Sequence, residues 1–119
     1  MKRDMDLVRE IMKILHEHPH GSAPRSIEIE GYTQDTIGYH CFILDEAGLI
    51  RATNTTHLSS KSPTATPLSL TWEGHEFIDN ALNEETWKGT KEAISKIGDA
   101  SFSVWASVLT QVVSKNLGI

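Results

Sequence analysis

The chain has 119 residues, of which 39% are hydrophobic and 23% are charged. This balance is typical of one globular domain over 1–119 and excludes an intrinsically disordered chain. With 16 acidic residues against 11 basic ones, the net charge is −5. Bulk electrostatic attraction to nucleic acid is therefore excluded, whereas a local basic patch is not. The single cysteine, Cys41, excludes an internal disulfide and a Cys-pair zinc ribbon.

The first 30 residues predict a helix followed by a short strand. Apolar residues recur every three or four positions from Val8 to Leu15, which is typical of one face of a helix over 4–18. Apolar and acidic residues then alternate over 26–30 (SIEIE), and this alternation predicts a half-buried strand.

The middle of the chain predicts a second helix and a β-hairpin. The helix covers 33–47, with Thr33 as its N-cap and Gly48 as a left-handed stop. Two apolar strands follow, over 49–53 and 67–71, and they are separated by a tip rich in serine and threonine and closed by two prolines. This composition suggests a long tip that stays mobile until something binds it.

The last third predicts three helices, over 72–82, 84–97 and 102–117. Each is preceded by a residue that can cap it: Thr71, Asn83 and Ser101. The side chains predicted to face inward on the first two are Trp72, Phe77, Ile78, Ala81, Leu82, Trp87, Ile94 and Ile97.

The order of these elements predicts the fold class. Helix, short strand, helix and hairpin in succession match the winged-helix arrangement, so we predict an α+β fold of winged helix-turn-helix type. Residues 1–83 would form its core and 84–119 a C-terminal helical extension. The best local cue is LDEAGLI, where a helix ends at glycine and the chain enters an apolar strand at once. The second is LSLTWEGHEF, which leads from the hairpin into a helix whose Gly74 permits close packing.

Three stretches also resemble a known family: MKRDMDLVREI, IEIEGYTQDTIGYHCFILDEAGLI and LSLTWEGHEFIDNA. Over about residues 1–97 the chain is similar to domain-of-unknown-function family 2513 of bacteria and phages. The resemblance implies a winged-helix-like fold and frequent occurrence in prophages and mobile elements. It implies no substrate, cofactor or catalytic residue. DNA binding follows from the winged-helix likeness by analogy alone.

No pattern in the chain points to catalysis, a cofactor or a metal. The sequence has no Gly-rich phosphate loop and no nucleophile elbow. Cys41 lies on an apolar helix stripe, where a buried and inert thiol is expected. His16, His18 and His20 are close in sequence, but a spacing of two does not place side chains on one helix face. We therefore expect no enzyme activity, no cofactor and no metal site.

The location of the protein is predicted from its apolar segments. No stretch reaches the roughly 20 apolar residues of a spanning helix, and the charged start differs from a signal peptide. We expect a soluble, cytoplasmic protein without membrane contact.

Double-stranded DNA is the first predicted partner. In a winged helix, the helix before the wing enters the major groove and the wing contacts the backbone or the minor groove. The residues that this arrangement places at a nucleic-acid or partner interface are Arg25, Gln34, Thr36, Tyr39, Arg51, His57 and Lys61. The charge distribution opposes tight binding, because 21–60 carries more acidic than basic residues and phosphate neutralisation supplies much of DNA affinity.

A protein–protein adaptor that uses the same fold without binding DNA is the alternative function. A homodimer is also predicted, because the last helix carries one charged side chain, Lys115, between 102 and 117. Its apolar residues are Phe102, Trp105, Val108, Leu109, Val112 and Val113. They either complete the core or pair with a second copy.

Overall fold

The computed structural model describes residues 1–118 and has an α+β fold. Within those residues it contains five helices and one antiparallel sheet of two strands. In chain order the elements are α1 (Met5–Glu17), α2 (Gln34–Glu46), β1 (Ile50–Asn54), β2 (Ala65–Leu70), α3 (Trp72–Ala81), α4 (Glu84–Ser95) and α5 (Phe102–Asn116). The chain divides into two compact units, Met1–Glu76 and the part from Phe77 onward. Among the described helices, each is too short or too polar to cross a membrane.

Side-chain caps begin α2 to α5 where the sequence predicts them, and α1 begins at a cap that was not predicted, Asp4. The caps, each accepting a hydrogen bond from the backbone N–H three residues on, are Asp4, Thr33, Thr71, Asn83 and Ser101. These bonds satisfy donors that the first turn of a helix leaves open. After α2, Gly48 adopts φ +77°, the left-handed conformation that the predicted stop requires.

The core of the first unit is formed by α1, α2 and the hairpin. On α1 the predicted apolar stripe from Val8 to Leu15 is buried, and on α2 the stripe of Ile37, Cys41 and Leu44 is buried. Removing this apolar surface from water is the main force that holds the two helices and the hairpin together. Gly74 in α3 contacts the Leu49 carbonyl so closely that no larger residue fits.

The two strands pair in antiparallel register with one irregularity, next to Ala52. The Thr55 N–H donates to the Thr64 carbonyl at 2.9 Å. Bonded and non-bonded pairs alternate along such a ladder, so the facing pair Ala52 and Pro67 turns its backbone groups outward. The Ala52 N–H donates instead to the Asp45 carboxylate at the end of α2, at 2.9 Å. The hairpin is thereby bonded to α2.

The predicted strand over 26–30 is wrong. This segment has no regular strand structure, and the sheet of the described residues holds only β1 and β2. The alternation of apolar and acidic residues has another origin. Ile27 is buried in the core, while Glu28 and Glu30 are exposed. The bond to the sheet lies earlier in the chain, where the Ala23 N–H donates to the Leu68 carbonyl at 2.7 Å.

Two residues predicted to face inward are exposed, Trp72 by 75% and Ile97 by 65%. Trp72 is the first residue of α3, and Ile97 lies beyond the last residue of α4. Trp72 shares its helix face with Glu76 and Asp79, four and seven residues later, and that face is exposed. Ile97 lies outside the helix, where helical periodicity no longer sets the direction of a side chain. Pro67, predicted to close the tip, lies inside β2.

In the second unit, α4 packs against α5. The Asn116 side chain donates to the Thr86 hydroxyl at 3.1 Å, and the buried Thr90 hydroxyl donates to the Thr86 carbonyl at 2.9 Å. A Cβ at Gly89 would lie 3.4 Å from Val112, so the two helices approach closely at this point.

Candidate nucleic-acid interface

The hairpin carries positive charge without negative charge. Over 50–70 the sequence contains Arg51, His57 and Lys61 and no aspartate or glutamate. All three side chains are exposed. Serine and threonine hydroxyls surround them, and such groups, like arginine and lysine, bind phosphate oxygens.

Hydrogen bonds connect the residues of the hairpin tip to one another. The ladder continues past the strands through the hydroxyls of Thr55 and Thr64, which lie 3.1 Å apart. At the apex the Ser60 N–H donates to the His57 carbonyl at 3.0 Å, and the His57 N–H donates to the Ser60 hydroxyl at 2.9 Å. A reciprocal pair of this kind closes a four-residue turn, with Leu58 as its second residue.

A groove of about 330 Å³ brings some of the predicted contact residues together. Arg25, Gln34 and His57 line it, between the segment before α2, the first half of α2 and the hairpin tip. Its lining also contains the apolar Ile27 and Ile37. Arg51 and Lys61 lie outside the groove lining, although both are exposed on the hairpin. The predicted set is therefore split between the groove and the hairpin surface.

The predicted contacts on α2 have structural partners. Gln34 donates its side-chain amide to the Ile27 carbonyl at 2.9 Å, which holds the preceding segment against the helix. The Thr36 hydroxyl lies 2.9 Å from that of the capping Thr33. Tyr39 is half-buried, with its ring edge-on to His40.

The accessible face of α2 is acidic and partly apolar. Asp35 and Glu46 are exposed, and between them Tyr39, Phe42 and Ile43 are half-buried. The helix contains no lysine or arginine. A duplex approaching this face would meet carboxylates first, and carboxylates repel phosphates.

Gly38 of α2 is covered by the hairpin. A Cβ built there would lie 3.0 Å from Thr64 side-chain atoms. The hairpin therefore rests on α2 at this position, and the missing side chain is what allows the close approach.

A buried network that the sequence did not reveal holds α2 against α1. His40 is fully buried; its Nε2 accepts from the Asp4 N–H at 2.9 Å, and its Nδ1 donates to the Thr36 carbonyl at 2.8 Å. Since a backbone N–H can only donate, the ring is neutral with its proton on Nδ1. The Tyr32 hydroxyl donates to the Asp4 carboxylate at 2.8 Å. That hydrogen bond, with burial and nearby carboxylates, raises the pKa of Tyr32 to about 12.

The single thiol of the chain, Cys41, is buried. Burial raises the pKa of the Cys41 thiol to about 12, so the thiolate that a nucleophile needs is scarce near neutral pH. Among residues 1–118, no three histidine, cysteine, aspartate or glutamate side chains converge to hold a metal ion.

Part of the predicted dimer face of α5 is used within the second unit. The Phe102 ring lies against Phe77 with centroids 5.0 Å apart, and Trp105 stacks on Trp87 at 5.3 Å. Leu109 is 1% exposed, as expected where the helix completes a core. The remaining members, all half-buried, are Val108, Val112 and Val113. A homodimer through this helix stays a prediction.

Comparison with known proteins places this α+β chain in a family. It belongs to the family described as "Hypothetical protein (DUF2513)", whose model matches residues 2–100, and this confirms the resemblance. It is also similar to an uncharacterised protein of Haemophilus influenzae, with 35% identity over 121 residues that cover 98% of this chain and 99% of the relative. No solved structure matches the chain significantly.

Proposed function

We propose that this chain is a small, non-catalytic DNA-binding regulator of winged-helix type that contacts duplex DNA mainly through its hairpin. The order α1, α2, hairpin, α3 supports this assignment, as does the packing of the hairpin on α2. In this arrangement α2 corresponds to the reading helix and β1–β2 to the wing.

The charge of the hairpin is the observation that carries the proposal. Arg51 and Lys61 are exposed on a segment of 21 residues, 50–70, that contains no carboxylate, in a chain whose net charge is −5. Arg25 adds a third exposed cation at the groove beside the tip. Each cation that neutralises a phosphate releases counterions, and this release drives association.

The acidic face of α2 limits the affinity and the sequence specificity of the proposed DNA binding. With no arginine or lysine on the helix, the strongest base-specific contact, a bidentate bond to guanine, is absent from α2. The contacts that the hairpin offers are to phosphates, which carry no sequence information directly. The proposed binding is therefore weak, salt-sensitive and tolerant of sequence.

Fluorescence anisotropy with a labelled random duplex tests the proposal. We expect binding at ~50 mM salt, with affinity falling steeply as salt rises. The double variant Arg51→Ala/Lys61→Ala should bind DNA with a weaker salt dependence. The negative slope of log K against log salt should shrink in magnitude by about 1.8, because each lost phosphate contact removes about 0.9. The matched control, Lys88→Ala/Lys96→Ala, removes two exposed charges from the second unit. Absence of binding by the wild-type chain, or equal effects of both double variants, would refute the proposal.

The second candidate function is an adaptor that binds a protein through α2. The half-buried Tyr39, Phe42 and Ile43 between two exposed carboxylates favour a partner segment that is apolar and cationic. The double variant Tyr39→Ala/Phe42→Ala tests whether duplex DNA binds at the hairpin or at this face of α2, which an adaptor would use for a protein. If the hairpin is the DNA site, DNA affinity should stay within about two-fold of wild type, since neither side chain offers a cation to phosphate. A ten-fold loss would place the DNA site on α2 instead.

A further inference from the structure

Leu58 is the most exposed large apolar side chain among the described residues. Its relative exposure is 109%, so it projects fully into solvent. It is the second residue of the turn closed by His57 and Ser60, at the apex of the hairpin. A leucine there contributes nothing to the core, and its exposed side chain gains no free energy from burial.

We infer that Leu58 is an apolar wedge that enters the minor groove of duplex DNA and partly separates two stacked base pairs. The inference rests on the proposed function, that the hairpin binds duplex DNA. Proteins that bind the minor groove insert single leucine, isoleucine, methionine, phenylalanine or proline side chains between base steps and kink the duplex.

The proposed insertion involves one side chain and not the whole hairpin. The minor groove is about 6 Å wide, whereas a two-stranded ribbon fits only the wider major groove, so the Leu58 side chain at the apex is the part that enters. The reciprocal hydrogen bonds of His57 and Ser60 hold the turn in one shape, so little conformational entropy is lost on insertion.

The surroundings of Leu58 favour DNA over the other surfaces that an exposed leucine can contact. His57 precedes it, Lys61 lies three residues after it, and the segment 50–70 contains no carboxylate of its own. The Asp35 carboxylate of α2 lines the groove beside His57. The threonine and serine hydroxyls of the tip suit the phosphates that flank a groove. A membrane-binding surface needs a broader apolar face than one side chain, and leucine is under-represented at protein hot spots.

The test uses the full chain and a duplex with one central TA step, a step that unstacks easily. Fluorophores at the two ends report bending, and 2-aminopurine at the step reports unstacking. The wild-type chain should bend the duplex by roughly 20–90° and raise the 2-aminopurine fluorescence. Leu58→Ala should abolish both signals and weaken binding by about ten-fold, while the salt slope, which reports phosphate contacts, stays unchanged.

Leu68→Ala is the matched control, because Leu68 is a leucine of the same hairpin, 48% exposed, that lies on β2 and away from the apex. It should leave bending and fluorescence as in wild type. Both variants change exposed side chains, so loss of folding is not expected, and circular dichroism checks this.

The outcomes separate this inference from the function on which it rests. If the wild-type chain binds the duplex without bending or unstacking it, or if Leu58→Ala behaves as wild type, the wedge is refuted and the DNA-binding proposal stands. If the wild-type chain fails to bind duplex DNA at ~50 mM salt, both fail. Leu58-dependent binding to phosphatidylglycerol vesicles, without an effect on DNA, would also overturn the inference.

Discussion

The hairpin and α2 are neighbours in the chain and pack on each other, yet they offer opposite chemistry to a partner. The hairpin presents cations and hydroxyls and has no carboxylate of its own, whereas α2 has three exposed carboxylates and no cation. Two of them, Asp35 and Glu46, flank its partly apolar face, and the third, Asp45, bonds to the hairpin at Ala52. In the proposed winged-helix arrangement α2 would read the DNA, yet the charge that suits DNA lies on the hairpin. Fold and charge therefore act separately. The fold positions the hairpin and α2, and the charge decides which of the two can approach phosphate.

The largest expected effect concerns the support beneath the hairpin. In Gly74→Ala the new Cβ would overlap the Leu49 carbonyl oxygen just before β1. Because backbone cannot move aside cheaply, we expect a loss of about 3 kcal/mol or more in the free energy of unfolding. Urea denaturation measures it. Gly21→Ala, which has open space around its Cβ, is the control and should change stability by less than about 0.5 kcal/mol. Equal stability of the two variants would show that α3 does not brace the hairpin.

The next effect concerns the hydrogen bonds of the buried His40, which hold α2 against the start of α1. In His40→Ala the Asp4 N–H loses its acceptor and a cavity opens in the core. We expect a loss of about 2–3 kcal/mol in the free energy of unfolding. His57→Ala, an exposed histidine on the hairpin, should cost less than about 0.5 kcal/mol. A neutral His40→Ala would mean that α2 is held by its apolar stripe alone.

High pH should lower the free energy of unfolding through two groups near α2, Tyr32 and Cys41. Tyr32 and Cys41 have pKa values raised from 10.0 and 9.0 to about 12, so the folded state keeps protons that the unfolded state releases. Their contribution to stability is complete below pH 9 and is lost as the pH rises toward 12. Urea midpoints across this range should fall, and they should fall less steeply in Tyr32→Phe and in Cys41→Ala. If the urea midpoint of a variant falls with pH as steeply as that of the wild type, the replaced residue does not contribute to the loss of stability.

Cys41 allows a second measurement at one pH. At pH 8 the thiol of the folded chain should react with a disulfide reagent far more slowly than the thiol of the urea-unfolded chain, because it is buried and protonated. Comparable rates would show that the α2 stripe opens readily.

The smallest effect tests the carboxylates of α2. If they repel a bound duplex, Asp35→Asn and Glu46→Gln should each tighten DNA binding roughly two- to three-fold at low salt, with the gain fading as salt screens the charge. Glu92→Gln, an exposed acidic residue on α4, should change affinity less. Weaker binding by the α2 variants would mean that these side chains contact DNA or a bound cation.

The local part of the fold could be predicted from the sequence because it depends on neighbouring residues. Caps such as Thr33 and the stripe on α1 involve positions three or four apart, so periodicity reveals them. The segment 26–30 could not be assigned in the same way, because a strand exists only where a partner strand satisfies its backbone.

The candidate site was predictable by type of residue and not by arrangement. The exposed cations of the hairpin could be predicted from composition alone. The bond from Gln34 to Ile27 and that from His40 to Asp4 join residues 7 and 36 positions apart, and no periodic pattern encodes such pairs. Leu58 was missed because an apolar residue in a polar tip gives no periodic signal, and its exposure is visible only once the turn is known.

The outward-facing backbone of the hairpin has a further consequence, for solubility. A sheet of two strands has two open edges, and open edges invite pairing with another chain. Here the Ala52 N–H on one edge is taken by Asp45, and on the other edge the Leu68 carbonyl is taken by Ala23. Pro67, which precedes Leu68 on β2, has no N–H to offer a third strand. We expect the middle of the hairpin to resist strand addition, so that a polar ribbon can project into solvent without becoming a template for aggregation.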